Sequence, residues 1–332
     1  MSELREDIVS GDWVIIAPGR AKRPEDLLRR RAPRITAPKN TCPFEDLERS
    51  GNWPPIALYP ASGKKWSIAV VPNKFPALSH VGGQALDTVD GVYHAKTGVG
   101  DHEVIITRDH WKNFAALAPQ AAKALFAVLQ ARHKAIANDA GNAYVATFFN
   151  WGPTAGASLS HPHYQILALP IVPPRVLRSL NGAMGYFKKH RRCVRCDIIA
   201  AERKKKVRVV AENRHAIAIA PYASKRPFEV SILPKKHEPS FAGTPKAVLD
   251  DVVLLLQKVM QRVKKQLHDP DLNFFIHDAP TDGSSYPHHH WHVEVVPVAA
   301  TLGGFEVSTV VNINVIDPSA AAASLRGVRR AR

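Results

Sequence analysis

Long apolar runs are missing from this chain of 332 residues, and no stretch approaches the ~20 apolar residues that span a bilayer. The N-terminus, Met1-Ser2-Glu3-Leu4-Arg5-Glu6-Asp7, is charged and lacks the apolar segment of a secretory signal. A membrane protein and an exported protein are thereby set aside, and a cytoplasmic location is expected. Cysteine is equally scarce. Three are present, too few for a disulfide framework. Cys193 and Cys196 form a Cys-x-x-Cys pair without a thioredoxin-like context around it, which points to metal rather than redox chemistry. Acidic residues are outnumbered, 29 against 45 lysines and arginines, for a formal charge of +16. Such a balance calls for a phosphate-bearing partner.

The basic residues do not form one track. They cluster at 29–31, 188–192 and 203–206 and in the tail beyond Leu325, all in stretches that read as loops or ends. Scattered runs of this kind are usually solvated surface, so nucleic acid is not expected as the partner. With 45% apolar residues the chain can bury one large core or two moderate ones.

What is present is an internal repeat. In the first half a strand-like run at 67–72 precedes a second at 103–106 and then His110; in the second half runs at 216–221 and 229–233 precede His237. A helix follows in each. Pro119 opens one that carries Leu125, Val128, Leu129 and Ile136, and Thr244-Pro245 opens one that carries Val248, Val252, Leu255, Leu256, Val259 and Val263. Proline at the first helical position after a capping residue, with apolar residues at helical spacing, is a start signal. Apolar strands at 144–149 and 272–276 then lead through glycine-containing loops to His161-Pro162-His163 and His290-Trp291-His292. The expected fold is α+β, with tandem subdomains at 1–175 and 176–332. Each is an antiparallel sheet with a packed helix, and the two are related by a pseudo-two-fold.

The His-x-His element of the first half continues as Tyr164-Gln165. Alternation along a strand puts His161, His163 and Gln165 on one face. Two imidazoles and an amide on a half-buried face need a metal, a ligand or one another. The preceding loop, residues 150–158, is rich in small residues and can offer backbone N–H groups and the Ser158 hydroxyl to phosphate oxygens.

In this order, several segments together resemble the galactose-1-phosphate uridylyltransferase family of the histidine-triad superfamily, including its ADP-glucose phosphorylase members. They are Arg20-Ala21-Lys22-Arg23-Pro24 after Trp13-Val14-Ile15, Cys42-Pro43-Phe44, Asn73-Lys74-Phe75-Pro76, the 150–158 loop, His161-Pro162-His163-Tyr164-Gln165 and Gly303-Gly304-Phe305-Glu306. The resemblance covers nearly the whole chain and implies tandem histidine-triad-like subdomains. It implies that His163 is a nucleophile that takes a nucleoside monophosphate from a nucleoside diphosphate sugar. Gln165 would donate to a non-bridging oxygen without supplying a proton to the leaving group, the mark of a transferase. Arg20 and Arg23 would hold the sugar phosphate. Asn73 and Phe75 would contact the nucleotide, Asn150, Gly156 and Ser158 the phosphates, and Glu306 the sugar hydroxyls.

A Cys₂His₂ zinc set follows from Cys193, Cys196, His237 and His290, with His288 in reserve if the strand register shifts. A second set would use Cys42, His110 and His161, but Glu45 stands where the family has another cysteine, which leaves that zinc open. Both are expected to be structural. The expected substrates are a nucleotide sugar and a sugar 1-phosphate, in a uridylyltransferase reaction. An ADP-glucose phosphorylase with inorganic phosphate as acceptor is the alternative, and a zinc-containing nucleic-acid-binding protein is the alternative from another class. A homodimer is the family expectation.

Overall fold

The computed structural model describes residues 1–20, 36–60, 65–79, 85–299 and 301–327. Arg23 and the basic run at 29–31 lie outside the described residues. Short strands β1 (Glu3–Glu6) and β2 (Trp13–Ile16) open the chain, followed by β3 (Ala57–Tyr59), β4 (Ile68–Pro72), the hairpin β5 (Asp87–Asp90) and β6 (Tyr93–Lys96), and β7 (His102–Thr107). Helix α1 (Pro119–Ala137) leads to β8 (Tyr144–Trp151) and β9 (His163–Leu169). Helices α2 (Pro174–His190) and α3 (Val194–Lys205) connect to β10 (Val209–Glu212), β11 (Ala216–Ile219) and β12 (Val230–Pro234). Then come α4 (Lys246–Leu267), β13 (Leu272–His277), β14 (His292–Pro297), α5 (Gly304–Thr309), β15 (Asn312–Asn314) and α6 (Pro318–Arg326).

Ten strands form one sheet in the order β10-β11-β12-β14-β13-β8-β9-β7-β4-β3, every neighbouring pair antiparallel. Read from the β13–β8 seam outward, the two five-stranded halves have the same connectivity. The pseudo-two-fold inferred from the repeat is therefore present, and both halves share a single sheet. At the seam Phe274 faces Phe149 and Asn273 faces Asn150. The N-terminal β2 pairs in parallel with β15, tying the two ends of the chain together.

Alternation decides the layers. Phe149, Tyr164, Ile166, Phe274, Val293 and Val295 turn to one face, where α1 and α4 cover them in a single core. Phe149 stacks on Tyr164 with ring centroids 4.7 Å apart, and burial of each such side chain is worth roughly 1.5–3 kcal/mol. Helix α1 starts at Pro119 as its sequence signals require, whereas α4 starts one residue later than expected, with Pro245 at the cap. Strand β9 starts at His163, so His161 precedes the strand rather than lying in it; β14 starts at the equivalent His292. The opposite face of the sheet carries His163, Gln165 and Glu294 near its middle, with smaller apolar clusters around Val71 and Ile106 and around Ile217 and Leu233.

Candidate active site and metal centres

His163 opens β9 on that opposite face and is 6% exposed. Its Nδ1 lies 2.9 Å from the carbonyl oxygen of His161. A carbonyl only accepts, so Nδ1 carries the proton and Nε2 presents a lone pair. Burial holds the imidazole below its ordinary pKa, opposed by that backbone bond, which keeps the ring neutral and nucleophilic. Phe44 packs edge-on against it, ring centroids 5.4 Å apart, and also against His161 at 5.7 Å. The Cys42-Pro43-Phe44 segment, which precedes His163 in the motif order, therefore touches its ring.

The 150–158 loop is built by the other half of the chain. Gly152 has φ +87, and a Cβ there would collide with the Asp271 carboxylate, so only glycine fits. Asp271 accepts from the Thr154 N–H at 2.9 Å and from its hydroxyl at 2.5 Å. Asn273 on β13 donates to Asn150 Oδ1 and to the Ala155 carbonyl, each at 2.8 Å. Gly156 adopts the left-handed conformation and Ser158 is exposed. Neither Asp271 nor Asn273 was found by sequence reasoning; the alternation on β13 places Asn273 on the site face, but only the seam register brings it to Asn150.

Gln165 lies two residues beyond His163 on the same face, with its Oε1 3.0 Å from His102 Nε2. Asn73 fixes the exposed Phe75 by accepting its backbone N–H at 2.9 Å. Arg20 and Glu306 stand apart from these residues. They line a cavity of about 240 Å³ together with Arg226 and Asn312, and Glu306 accepts from the Gly303 N–H at 3.0 Å. Arg226 was not singled out in the sequence; burial lowers its pKa there.

Both groups of side chains named from the sequence as metal ligands come together. Cys193, Cys196, His237 and His290 bring their ligand atoms within 4.8 Å of one another. Cys196 Sγ lies 3.6 Å from Nδ1 of both His237 and His290, and Cys193 Sγ lies 3.9 Å from His290 Nδ1. A zinc tetrahedron with bonds of ~2.3 Å to sulfur and ~2.0 Å to nitrogen has S–N edges of about 3.5 Å, so the spacing fits. His237 Nε2 donates to Pro287 O and His290 Nε2 to Pro234 O, which turns both Nδ1 lone pairs inward. His288 is not in the group.

The other group is Cys42, His110 and His161, with the Glu45 carboxylate beside the two imidazoles. Glu45 Oε1 lies 3.0 Å from His110 Nδ1 and 3.6 Å from His161 Nδ1. His110 and His161 donate their Nε2–H to Ala37 O and Thr107 O, at 2.9 and 2.7 Å. Two imidazole lone pairs facing a carboxylate repel it unless a cation lies between, so the donor set fits a metal.

The second half does not reproduce the first half's chemistry. Gln165 faces Val104 across the β7–β9 pair and Glu294 faces Ser231 across β12–β14, so Glu294 takes the place of Gln165. Two residues earlier on the partner strand, Glu229 takes the place of His102. Burial, aided by Glu294, pushes the Glu229 carboxyl up to about 8. The equivalent of His163, His292, stacks on His277 at 4.5 Å and points its Nε2 at Glu294, 3.8 Å away. A carboxylate where the first half has an amide donor repels phosphate. His277, His292 and Glu294 are a third group whose ligand atoms converge, unmarked in the sequence except by the His-x-Glu alternation opening β14.

Residues 74–327 match a family described as a domain of unknown function, DUF4921. Over 331 residues the chain is 34% identical to ADP-glucose phosphorylase of Arabidopsis thaliana, covering 98% of this chain and 93% of that protein. It is 25% identical over 338 residues to galactose-1-phosphate uridylyltransferase of Thermotoga maritima, covering 98% of each. The crystal structure of an ADP-glucose phosphorylase from Arabidopsis thaliana with bound ADP-glucose superposes with a TM-score of 0.83 at 32% identity, covering all of both chains. A uridylyltransferase structure at 24% identity and a TM-score of 0.74, covering 99% of this chain and 98% of that one, shares the fold. With the family model matched over most of its length and these relatives over nearly all of it, the chain belongs to the galactose-1-phosphate uridylyltransferase and ADP-glucose phosphorylase family of nucleotidyltransferases.

Proposed function

We propose that this enzyme transfers AMP from ADP-glucose to inorganic phosphate or a sugar 1-phosphate through a covalent nucleotidyl-histidine. His163 Nε2 attacks the α-phosphorus, forming an N–P bond as the P–O bond to the sugar 1-phosphate breaks. An oxygen of the acceptor phosphate then attacks the same phosphorus and the N–P bond breaks, returning a neutral imidazole. The observation that carries this reading is the buried His163 whose Nδ1–H is committed to the His161 carbonyl, leaving Nε2 as the free nucleophile.

Gln165 offers its amide to a non-bridging oxygen, and the 150–158 loop, with Asn150, Gly156 and Ser158, surrounds the phosphates. Asn73 and Phe75 lie on the nucleoside side. Arg20 and Arg23 hold the phosphate of the sugar phosphate, and Glu306 accepts from the sugar hydroxyls. Because Arg20 and Glu306 line a cavity separate from His163, we assign them to the site completed by a second copy in a cytoplasmic homodimer. Zinc held by Cys193, Cys196, His237 and His290, and by Cys42, Glu45, His110 and His161, would supply structural cross-links without touching the phosphate.

ADP-glucose is preferred because the 34% relative and the liganded structure both carry that name. The uridylyltransferase reading, UDP-glucose to hexose 1-phosphate, rests on the more distant relative. Intact-protein mass after incubation with each nucleotide sugar separates them: the mass gained identifies AMP or UMP. The adduct is expected to be acid-labile and absent in His163→Asn. A wild-type protein that gains no mass with either sugar refutes both readings.

A further inference from the structure

Gln165 helps only if its amide turns the NH₂ end, and not the oxygen, toward the phosphate. A glutamine side chain has nearly the same shape in both orientations, so something must choose between them. His102 does. It begins β7 on the face that carries His163, diagonally across the β7–β9 pair from Gln165, whose facing residue is Val104. The backbone N–H of Ala77 points at His102 Nδ1 from 3.2 Å, so Nδ1 accepts. A neutral imidazole that accepts at Nδ1 carries its proton on Nε2. That nitrogen lies 3.0 Å from Gln165 Oε1, which accepts the proton's hydrogen bond.

Asn73 Nδ2 stands 3.1 Å from the same His102 nitrogen as a second N–H donor to a ring with one lone pair; the Ala77 N–H, fixed in the backbone, takes that lone pair, and Asn73 cannot draw the Nε2 proton away from Gln165. The Asn73 oxygen is held by the Phe75 N–H, and an amide nitrogen has no lone pair to accept with. The carbonyl oxygen of His102 in turn accepts from the Asn73 N–H at 2.7 Å. The imidazole is thus locked from behind by residues 73–77 and in front by Gln165. In the second half a buried carboxyl, Glu229, stands in this place, opposite a carboxyl in place of the amide.

We propose that His102 is a positioning residue that fixes the Gln165 amide with its NH₂ group toward the phosphate carried by His163. It acts through Gln165 and does not touch the substrate. The effect rests on the nucleotidyl-histidine reading.

The test is a double-mutant cycle on the rate of nucleotidyl adduct formation, followed by quenched-flow intact mass with ADP-glucose. His102→Phe keeps a ring without a donor and should slow the step about tenfold, the scale of one hydrogen bond, with the half-saturating ADP-glucose concentration changed less than about threefold. His102→Gln restores a donor near the position of the imidazole Nε2 and should recover most of that loss. In a Gln165→Ala background, His102→Phe should cost less than about twofold. His102→Ala replaces His102→Phe if the latter melts early. An unchanged rate in His102→Phe, or the same loss with and without Gln165, overturns the proposal. A wild-type protein that forms no adduct refutes the nucleotidyl-histidine instead, so the two failures are distinct.

Discussion

Replacing Asn273 with alanine should slow nucleotidyl transfer although Asn273 belongs to the half of the chain that does not carry His163. Its amide donates to Asn150 Oδ1 and Ala155 O, both at 2.8 Å. A neutral hydrogen bond contributes a net ~0.5–1.5 kcal/mol, so losing two releases the loop by about 2 kcal/mol. If that energy holds the loop N–H groups where phosphate charge develops, adduct formation slows about thirtyfold. The same 2 kcal/mol spread over the unfolding of a chain this long lowers Tm by only about 3 °C. Quenched-flow adduct formation and differential scanning calorimetry on one preparation give both numbers. A rate within twofold of wild type would show that the brace does not set the loop geometry. A melting transition lowered far more than 3 °C would show that Asn273 supports the seam as a whole instead.

Metal analysis should find about two zinc ions per chain, falling by one in Cys196→Ser and by one in Glu45→Gln; retention of both in Glu45→Gln would exclude a carboxylate ligand. Glu229→Gln should stabilise the protein as pH rises. Its carboxyl is raised in the folded chain above its ordinary 4.5, so its share of stability is present below 4.5 and lost as pH climbs toward 8. Every tenfold difference in proton affinity between folded and unfolded chain corresponds to about 1.4 kcal/mol. In a chelating buffer the variant should therefore melt well above wild type at pH 8 and close to it at pH 4.5; equal differences at both would refute the assignment. His163→Asn should leave the melting temperature within a few degrees while abolishing the adduct, since the change removes a nucleophile and little packing.

The duplication was readable because its signals are local: a Pro-initiated helix at Pro119, apolar alternation at 144–149 and 272–276, and two His-x-His elements at matching places. The grouping of Cys193 and Cys196 with His237 and His290 was readable for the same reason, since the repeat itself supplies the two histidines. What escaped depends on pairing between distant strands. Asp271 and Asn273 look like ordinary residues at the start of a strand until the β8–β13 register sets them against the 150–158 loop. His102 likewise reads as the polar start of an apolar strand, and only its diagonal relation to Gln165 and the approach of the Ala77 N–H give it a role. Glu45 could be named from the motif, but whether its carboxylate reaches His110 and His161 is a matter of how the 42–45 turn folds back.

The seam between β8 and β13 also bears on how such a protein diverges. Cut apart, either half would expose a long edge strand with unpaired backbone groups, an invitation to pair with any copy at hand. Covalent linkage gives each half one permanent neighbour of fixed sequence. One side can then carry a carboxylate in place of the amide and another acid in place of the imidazole, because the side that keeps His163, Gln165 and His102 always travels with it. Asymmetry that would poison a symmetric pair becomes a stable division within a single gene product.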